Sequence, residues 1–244
     1  MKRLLRGLLV LPLLLAVPAG ADEPIACPIP AELALTDLSL PASKAALARH
    51  QPLRIVALGA AATEGSAAGD PQWTYPARLQ VHLAAGLPGA DIIVINKGVA
   101  HQTTAEMAAR IERDVLTLHP ALVIWDAGTV DAARGLDVDA FSEALGGGLE
   151  RLHAAGIDII VMDMQYAPST VSIIDFAPYI DALRSAADLA GVPVFNRFEV
   201  MHDWGESGLF RYDETAPAAR TATTRRVYDC LAGGLADGLV AALK

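Results

Sequence analysis

The sequence predicts an α/β protein built on an open, doubly wound sheet of five parallel strands. From Leu53 onward, short runs rich in β-branched residues alternate with longer amphipathic stretches. Alternation of this kind, with crossovers of helical length, is typical of a parallel sheet covered by helices on both faces. Hydrophobic residues make up 53% of the 244 residues, which is enough to bury one substantial core. We therefore expect one large domain.

The first 21 residues predict a signal peptide. Lys2, Arg3 and Arg6 precede an apolar run over residues 8–17, and the small residues at positions 19–21 fit the rule for signal peptidase cleavage. The run is too short to span a bilayer, although an uncleaved membrane anchor is the alternative. We expect a mature chain from Asp22 that is periplasmic or secreted and keeps no stable membrane anchor.

Charge and motif content exclude several classes of partner. Cleavage would remove three basic residues and no acidic one, which changes the formal net charge from -9 to -12, with 16 Lys and Arg against 28 Asp and Glu. This balance gives no reason to expect nucleic acid binding. The chain has neither a phosphate-binding glycine loop nor zinc-ligand spacing. We expect no cofactor and no metal, and the sequence leaves the oligomeric state open.

The chain contains two cysteines, Cys27 and Cys230, one near each end of the predicted mature protein. In an oxidising compartment such a pair can form a disulfide that ties an N-terminal arm to the last helix. Two buried free thiols are the alternative, because spacing alone does not show that the cysteines meet.

The arm covers residues 22–52, which contain five prolines and show no clear periodicity beyond a short helix at 43–49. The domain proper covers residues 53–244. Nearly continuous apolar runs predict buried parallel strands, and these lie at residues 53–58, 91–95, 121–125, 157–162 and 192–195.

The helix after the second strand has the clearest boundaries. Thr103 and Glu106 form a capping-box pattern, apolar residues follow on one face, and Pro120 closes the segment. Its other face carries charged residues, including Arg110. Further helices are predicted at 75–85, 138–155, 176–190 and 224–243. Three consecutive glycines at 146–148 should weaken the second of these, by about 1 kcal/mol each relative to alanine.

In a doubly wound sheet, ligands bind outside the carboxyl ends of the strands. Four predicted loops lie there, at residues 59–65, 96–102, 127–131 and 164–168. A ligand site, if the protein has one, is expected to be built from these loops.

The same loops resemble those of the SGNH/GDSL hydrolase superfamily. The resemblance rests on Leu58-Gly59 and Thr63-Glu64-Gly65 in the first loop, Asn96-Lys97-Gly98-Val99 in the second and Gly128-Thr129-Val130-Asp131 in the third. It covers residues 53–244 in the right order. It implies a flavodoxin-like three-layer α/β/α sandwich and the hydrolysis of esters, often of acetylated sugars, lipids or aryl esters.

The catalytic groups of that superfamily are a serine in the first loop, a glycine in the second, an asparagine in the third and a C-terminal Asp-x-x-His pair. The histidine takes the serine proton, the aspartate orients the histidine, and backbone and amide groups hold the oxyanion. Of the first three positions only the glycine is kept, as Gly98. The serine position falls on Ala61 and the asparagine position on Val130.

The C-terminal pair is placed by counting back from Tyr228-Asp229-Cys230, which resembles the start of the superfamily's last helix. This gives Ala219 for the aspartate and Ala222 for the histidine. Alanine and valine side chains carry no polar chemistry. The resemblance therefore implies a hydrolase scaffold that lacks nucleophile, oxyanion amide, orienting acid and base.

Other residues could replace the missing groups. Thr63 and Ser66 carry hydroxyls close to the first loop, although helix capping is a commoner task for such residues. The last histidine is His202, three residues after Glu199, which imitates the Asp-x-x-His spacing. His101 could face the cleft and bind a polar ligand, or could lie exposed to solvent. Gly98 and Asp131 complete the candidate ligand-binding residues, although the acidic loop residue of the superfamily usually serves structure.

The sequence is compatible with two functions, which belong to different classes of protein. The first is an exported pseudoenzyme that binds an acylated glycan, a lipid or a partner protein without cleaving it. The second is an active ester hydrolase with a relocated nucleophile and base, Thr63 or Ser66 with His202. A folded remnant with a scaffolding role is a third reading.

Overall fold

A computed structural model of the protein describes residues 27–244, so the predicted signal peptide lies outside the described residues. All strand pairings are parallel, in the order β2-β1-β3-β4-β5. The strands are β1 (Leu53–Gly59), β2 (Ile92–Gly98), β3 (Leu122–Asp126), β4 (Asp158–Met162) and β5 (Val194–Phe195). The predicted five-stranded parallel sheet is confirmed.

Helices cover both faces of the sheet and complete the three layers. One core lies beneath α1, α3, α10 and α11, and the second lies beneath α4, α5, α7 and α9. Within residues 27–244, none of the helices combines the length and the apolar character needed to cross a bilayer. The α-helices are α1 (Pro41–Ala48), α2 (Ala61–Glu64), α3 (Tyr75–Gly86), α4 (Thr104–Ala109), α5 (Ile111–Asp114), α6 (Thr129–Arg134), α7 (Val138–Ala154), α8 (Pro168–Val171), α9 (Ala177–Leu189), α10 (Arg197–Glu206) and α11 (Pro217–Leu243).

The helix predicted from Thr103 is interrupted at Arg110, which belongs to the predicted charged face but is buried. Thr103 does form the capping box with Glu106. Arg110, however, is only 5% exposed, and its guanidinium donates to the carbonyls of Gly59 and Lys97 at 3.2 and 2.8 Å. The backbone amide of Arg110 donates to the Met107 carbonyl, three residues back, at 3.2 Å, and the segment divides into α4 and α5 at Arg110.

The N-terminal arm is fixed to the domain at both of its ends. The amides of Ala42 and Ser43, at the start of α1, donate to the Asp158 carboxylate at 3.1 and 2.7 Å. Cys27 and Cys230 are disulfide-bonded, with their Cα atoms 5.5 Å apart. The arm is therefore linked covalently to α11 and by hydrogen bonds to the first residue of β4.

The three glycines of α7 do not interrupt the helix, which is continuous from Val138 to Ala154. Their environments differ. A β-carbon on Gly148 would overlap the Trp125 indole, whereas Gly146 and Gly147 have open space at that position. Gly148 therefore allows α7 to pack closely on β3. This close packing explains why one of the three residues is a glycine.

This difference gives a matched pair of substitutions. Gly148→Ala should lower the free energy of unfolding by about 1–3 kcal/mol, because it overpacks the core. Gly147→Ala should raise it by about 1 kcal/mol, because alanine is the better helix former. Urea denaturation of both variants measures the two effects, and equal shifts in the same direction would show that contact with Trp125 does not matter.

Candidate functional site

The first loop contains Ala61, the residue that the sequence predicts at the superfamily's serine position. Ala61 is the first residue of α2 and its side chain is exposed. Two residues later, Thr63 is fully buried, and its hydroxyl donates to the Asp126 carboxylate at 2.9 Å. Thr63 is therefore part of the buried core, and its hydroxyl is not presented to the cleft as a nucleophile.

Ser66 and His202, the other residues that could replace the missing catalytic groups, do not form a catalytic pair. Ser66 is exposed on the short 3-10 turn Ser66–Ala68 that follows α2. His202 lies on α10 with its side chain half exposed, 4.0 Å from the Glu206 carboxylate, and its ring meets Tyr166 edge-on at 4.8 Å. Among the described residues, no serine or threonine hydroxyl forms a hydrogen bond with His202.

The second loop contains Gly98, the residue predicted at the superfamily's glycine position, and the Gly98 amide is hydrogen-bonded within the loop. Gly98 N–H donates to the Asn96 side-chain oxygen at 2.8 Å, and the Asn96 amide group donates to the Thr63 carbonyl at 2.7 Å. A β-carbon on Gly98 would overlap the backbone nitrogen of Glu64. Gly98 therefore permits close packing of β2 against α2, and its N–H is not directed at an oxyanion here.

Asp131, which the sequence predicts to bind ligand, has its carboxylate hydrogen-bonded within the protein. Asp131 is 2% exposed, and its carboxylate accepts bonds from the Thr104 amide at 3.0 Å and from the Thr104 hydroxyl at 2.9 Å. Burial raises the pKa of Asp131, and the bonds from Thr104 act against that rise. Asp131 thus joins the N-terminus of α4 to the loop after β3.

His101 takes the solvent-exposed position that the sequence left open. It is exposed, with a left-handed backbone at φ 65°, and its carbonyl accepts from Arg134 at 2.9 Å. Arg134 therefore holds the backbone of this turn. The imidazole does not line the cavity described below.

The C-terminal helix begins at Pro217 rather than at the predicted residue 224. Ala219 and Ala222 therefore lie in the first two turns of α11 and not on a loop. The loop that enters the helix ends at Ala216, and Asp213 precedes Ala216 by three residues. The superfamily's histidine lies three residues after its aspartate. Ala222, three residues after Ala219, and Ala216, three residues after Asp213, are both alanines, so neither pair reproduces the Asp-x-x-His pattern.

A cavity of about 340 Å³ opens beside the third loop. Its walls come from Thr129, from residues 165–176, from α10, from residues 211–214 and from the first part of α11. Apolar and aromatic side chains dominate the lining, and no histidine is among the lining residues. The larger of these side chains are Tyr166, Phe176, Met201, Tyr212, Val227 and Tyr228.

A buried polar network lies behind the first and third loops. Arg197 is 1% exposed and donates to the Asp126 carboxylate at 2.6 Å. The same carboxylate accepts the Thr63 hydroxyl. Burial raises the pKa of Tyr75, and it raises the pKa of Tyr228 to about 12, so both phenols are neutral near pH 7. The network holds an ion pair in the core and supplies no general base in contact with the cavity.

Asp163, directly after β4, predicts a pH dependence of stability. Burial raises the pKa of this carboxyl to about 7, although the Phe198 amide donates to it at 2.8 Å. Because the pKa is higher in the folded than in the unfolded chain, the folded state retains a proton that the unfolded state releases. This stabilisation is complete below the ordinary aspartate pKa and is lost as the pH rises through about 7.

We therefore expect the free energy of unfolding of the wild type to fall by about 2–3 kcal/mol relative to Asp163→Asn between pH 5 and pH 8. Urea denaturation at a series of pH values measures this difference. Asp188→Asn, an exposed change on α9, serves as the control and should follow the wild type. Parallel pH profiles for the wild type and Asp163→Asn would contradict the expectation.

Comparison with known proteins identifies the scaffold. The sequence profile of the non-GDSL lipase-like family matches residues 26–244. The chain belongs to that family. Membership confirms the resemblance to the SGNH hydrolase superfamily, and solved structures agree with it.

The esterase AlinE4, an SGNH-hydrolase family member, is 26% identical to this non-GDSL lipase-like protein, with 70% of this chain and 89% of that chain covered at a TM-score of 0.54. A two-domain esterase (CEX) active on acetylated mannans is 18% identical, with 82% of this chain and 55% of that chain covered at a TM-score of 0.64. The latter likeness shows the fold alone. No curated protein sequence matched the chain.

Proposed function

We propose that this non-GDSL lipase-like protein is an exported binding protein that holds an acyl group at the carboxyl edge of its sheet and does not hydrolyse esters. The observation that carries the proposal is a formed, mainly apolar cavity that is lined by Thr129, next to the predicted asparagine position Val130, and by the start of α11, which contains Ala219 and Ala222. An apolar cavity of this size suits an acyl chain better than a charged or strongly hydrated group.

The absence of a base in reach supports binding rather than turnover. Ester hydrolysis by this superfamily needs a hydroxyl activated by a histidine. Thr63 donates its hydroxyl to Asp126, and among residues 27–244 neither Ser66 nor Thr63 pairs with a histidine. In serine hydrolases, loss of the nucleophile or of the base alone costs on the order of a million-fold in turnover.

Two features support export. The first 21 residues fit a signal peptide, and the Cys27–Cys230 disulfide is of a kind that persists in oxidising compartments. The ligand would then be met outside the cytoplasm, as an acylated glycan, a lipid or an acylated partner.

An active ester hydrolase with relocated groups is the alternative, and its support is the esterase activity named for structural relatives such as AlinE4. It requires movement of His202 toward Ser66, or release of Thr63 from Asp126. The two functions predict opposite results in one assay.

We expect purified mature protein to hydrolyse an aryl acetate ester at the background rate, because no nucleophile–base pair is assembled. Release of the aryl alcohol, followed by absorbance, measures this rate. His202→Ala is the matched variant, and it should give the same background rate as the wild type. Turnover well above background that is lost in His202→Ala would overturn the proposal and favour the relocated hydrolase.

A further inference from the structure

A second cavity, of about 640 Å³, lies between the end of α8, α9 and the start of α10, and we call it the α9–α10 groove. Its walls are residues 171–177, Ile180, Asp181 and Arg184 of α9, and Phe198 and Glu199 of α10. It shares Ile174 and Phe176 with the apolar cavity described above, and no charged residue lines both. Changes to the charges of the groove therefore leave the lining of the first cavity intact.

The walls of the groove expose large apolar side chains to solvent. Ile173 is 82% exposed and Val171 is 37% exposed. Phe198 is partly buried, and its ring lies 5.8 Å from that of Phe176 between centroids. Exposed apolar side chains around a concave surface mark interaction sites. A partner that covers Ile173 removes apolar surface from water, which favours association.

The charged side chains of the groove are mainly acidic. Three carboxylates line it against a single base, Arg184. Arg184 is paired with Glu199 at 2.7 Å and lies 3.7 Å from the buried Asp163 carboxylate. The other two carboxylates of the lining, Asp175 and Asp181, are exposed and make no ion pair among residues 27–244. The groove therefore presents two uncompensated negative charges beside an apolar surface.

This combination selects among possible partners. The chain has a formal net charge of -9, so a second copy would bring like charge to the groove, and an anionic lipid surface would be repelled. A cationic side chain is attracted by Asp175 and Asp181, and Phe198 offers it an aromatic ring. A helix rises 1.5 Å per residue, so the α9 wall from Ala177 to Arg184 is about 10 Å long. About three residues of an extended chain span that length.

We propose that the α9–α10 groove is a docking surface for a short, extended segment of a partner protein in which lysine or arginine alternates with apolar residues. The apolar side chains of the segment cover Ile173 and Val171, and its cations pair with Asp175 or Asp181. This role goes beyond acyl binding, because it gives the protein a macromolecular partner at a surface with its own charged groups.

The test adds purified protein to dye-labelled pentapeptides and follows fluorescence anisotropy at low salt. One peptide alternates leucine with lysine, and the other alternates leucine with glutamate. We expect the lysine peptide to bind at least about tenfold more tightly and to lose affinity as salt is added, because salt screens exposed charges. Ile173→Ser should weaken its binding about fivefold or more. Asp175→Asn combined with Asp181→Asn should weaken it about fivefold.

Glu32→Gln combined with Asp37→Asn is the matched control, because it removes two exposed carboxylates from the N-terminal arm, outside the lining of the groove. It should bind the lysine peptide as the wild type does. Equal affinity for the two peptides, or a loss in the control as large as in the groove variant, would overturn the proposal. Self-association, or binding to phosphatidylcholine vesicles, that Ile173→Ser abolishes while the lysine peptide does not bind would identify another occupant and overturn it too.

Discussion

Replacing Arg197 with methionine is expected to lower the free energy of unfolding by about 3–5 kcal/mol. Arg197 and Asp126 are 1% and 3% exposed and meet at 2.6 Å. Removing the guanidinium leaves the Asp126 carboxylate in the core with only the Thr63 hydroxyl as a donor. Removing one partner of a buried ion pair costs more than the pair contributed, because the remaining charge is neither solvated nor paired.

A double-mutant cycle isolates this effect. Replacing both partners, Arg197→Met with Asp126→Leu, removes the unpaired charge and should cost less than Arg197→Met alone. Urea denaturation of the three variants measures the coupling. Asp188→Asn, an exposed change on α9, should alter stability by less than about 0.5 kcal/mol. A double variant whose loss equals the sum of the single losses would contradict the network.

Breaking the Cys27–Cys230 disulfide is expected to lower the free energy of unfolding by about 3–5 kcal/mol. The bond joins residues 203 positions apart, and in the chain-entropy account a longer closed loop gives a larger stabilisation. Cys27→Ser is the milder variant, because Cys27 is half-buried whereas Cys230 is 6% exposed. Denaturation midpoints with and without a reducing agent measure the loss.

The control is built into the same experiment. A reducing agent should lower the midpoint of the wild type to that of Cys27→Ser and should leave the variant unchanged. If the two midpoints differ without reductant but the wild type does not respond to reduction, the serine itself would be the cause of the loss and not the broken bond.

The strands could be predicted because burial on both faces makes them nearly continuous apolar runs. The predicted run 53–58 lies within β1 (Leu53–Gly59), and the run 157–162 contains β4 (Asp158–Met162). The start of α11 was missed because Pro217-Ala218-Ala219-Arg220-Thr221 has no apolar period. Packing of the later turns against the sheet, rather than the sequence of the first turns, fixes this helix.

The candidate site could be predicted only in part. The loops and the position of Ala61 followed from the order of motifs, because each loop stays next to its own strand. The pairing of Asp126 with Arg197, 71 residues apart in the chain, has no local signal, because both residue types usually face solvent. For the same reason, the sequence did not predict the burial of Arg110. Nothing in the sequence pattern indicates that Thr129 and Tyr228, 99 positions apart, line one cavity.

Gly98 shows that a residue of a catalytic motif can be required by packing alone. A side chain at this position would displace the backbone at Glu64, so the fold requires glycine there whether or not the protein catalyses a reaction. A sequence comparison that counts this glycine as a mark of hydrolysis would take a steric requirement for a chemical one. In this chain, evidence for an enzyme has to come from the positions that packing leaves free to vary, and Ala61 is such a position.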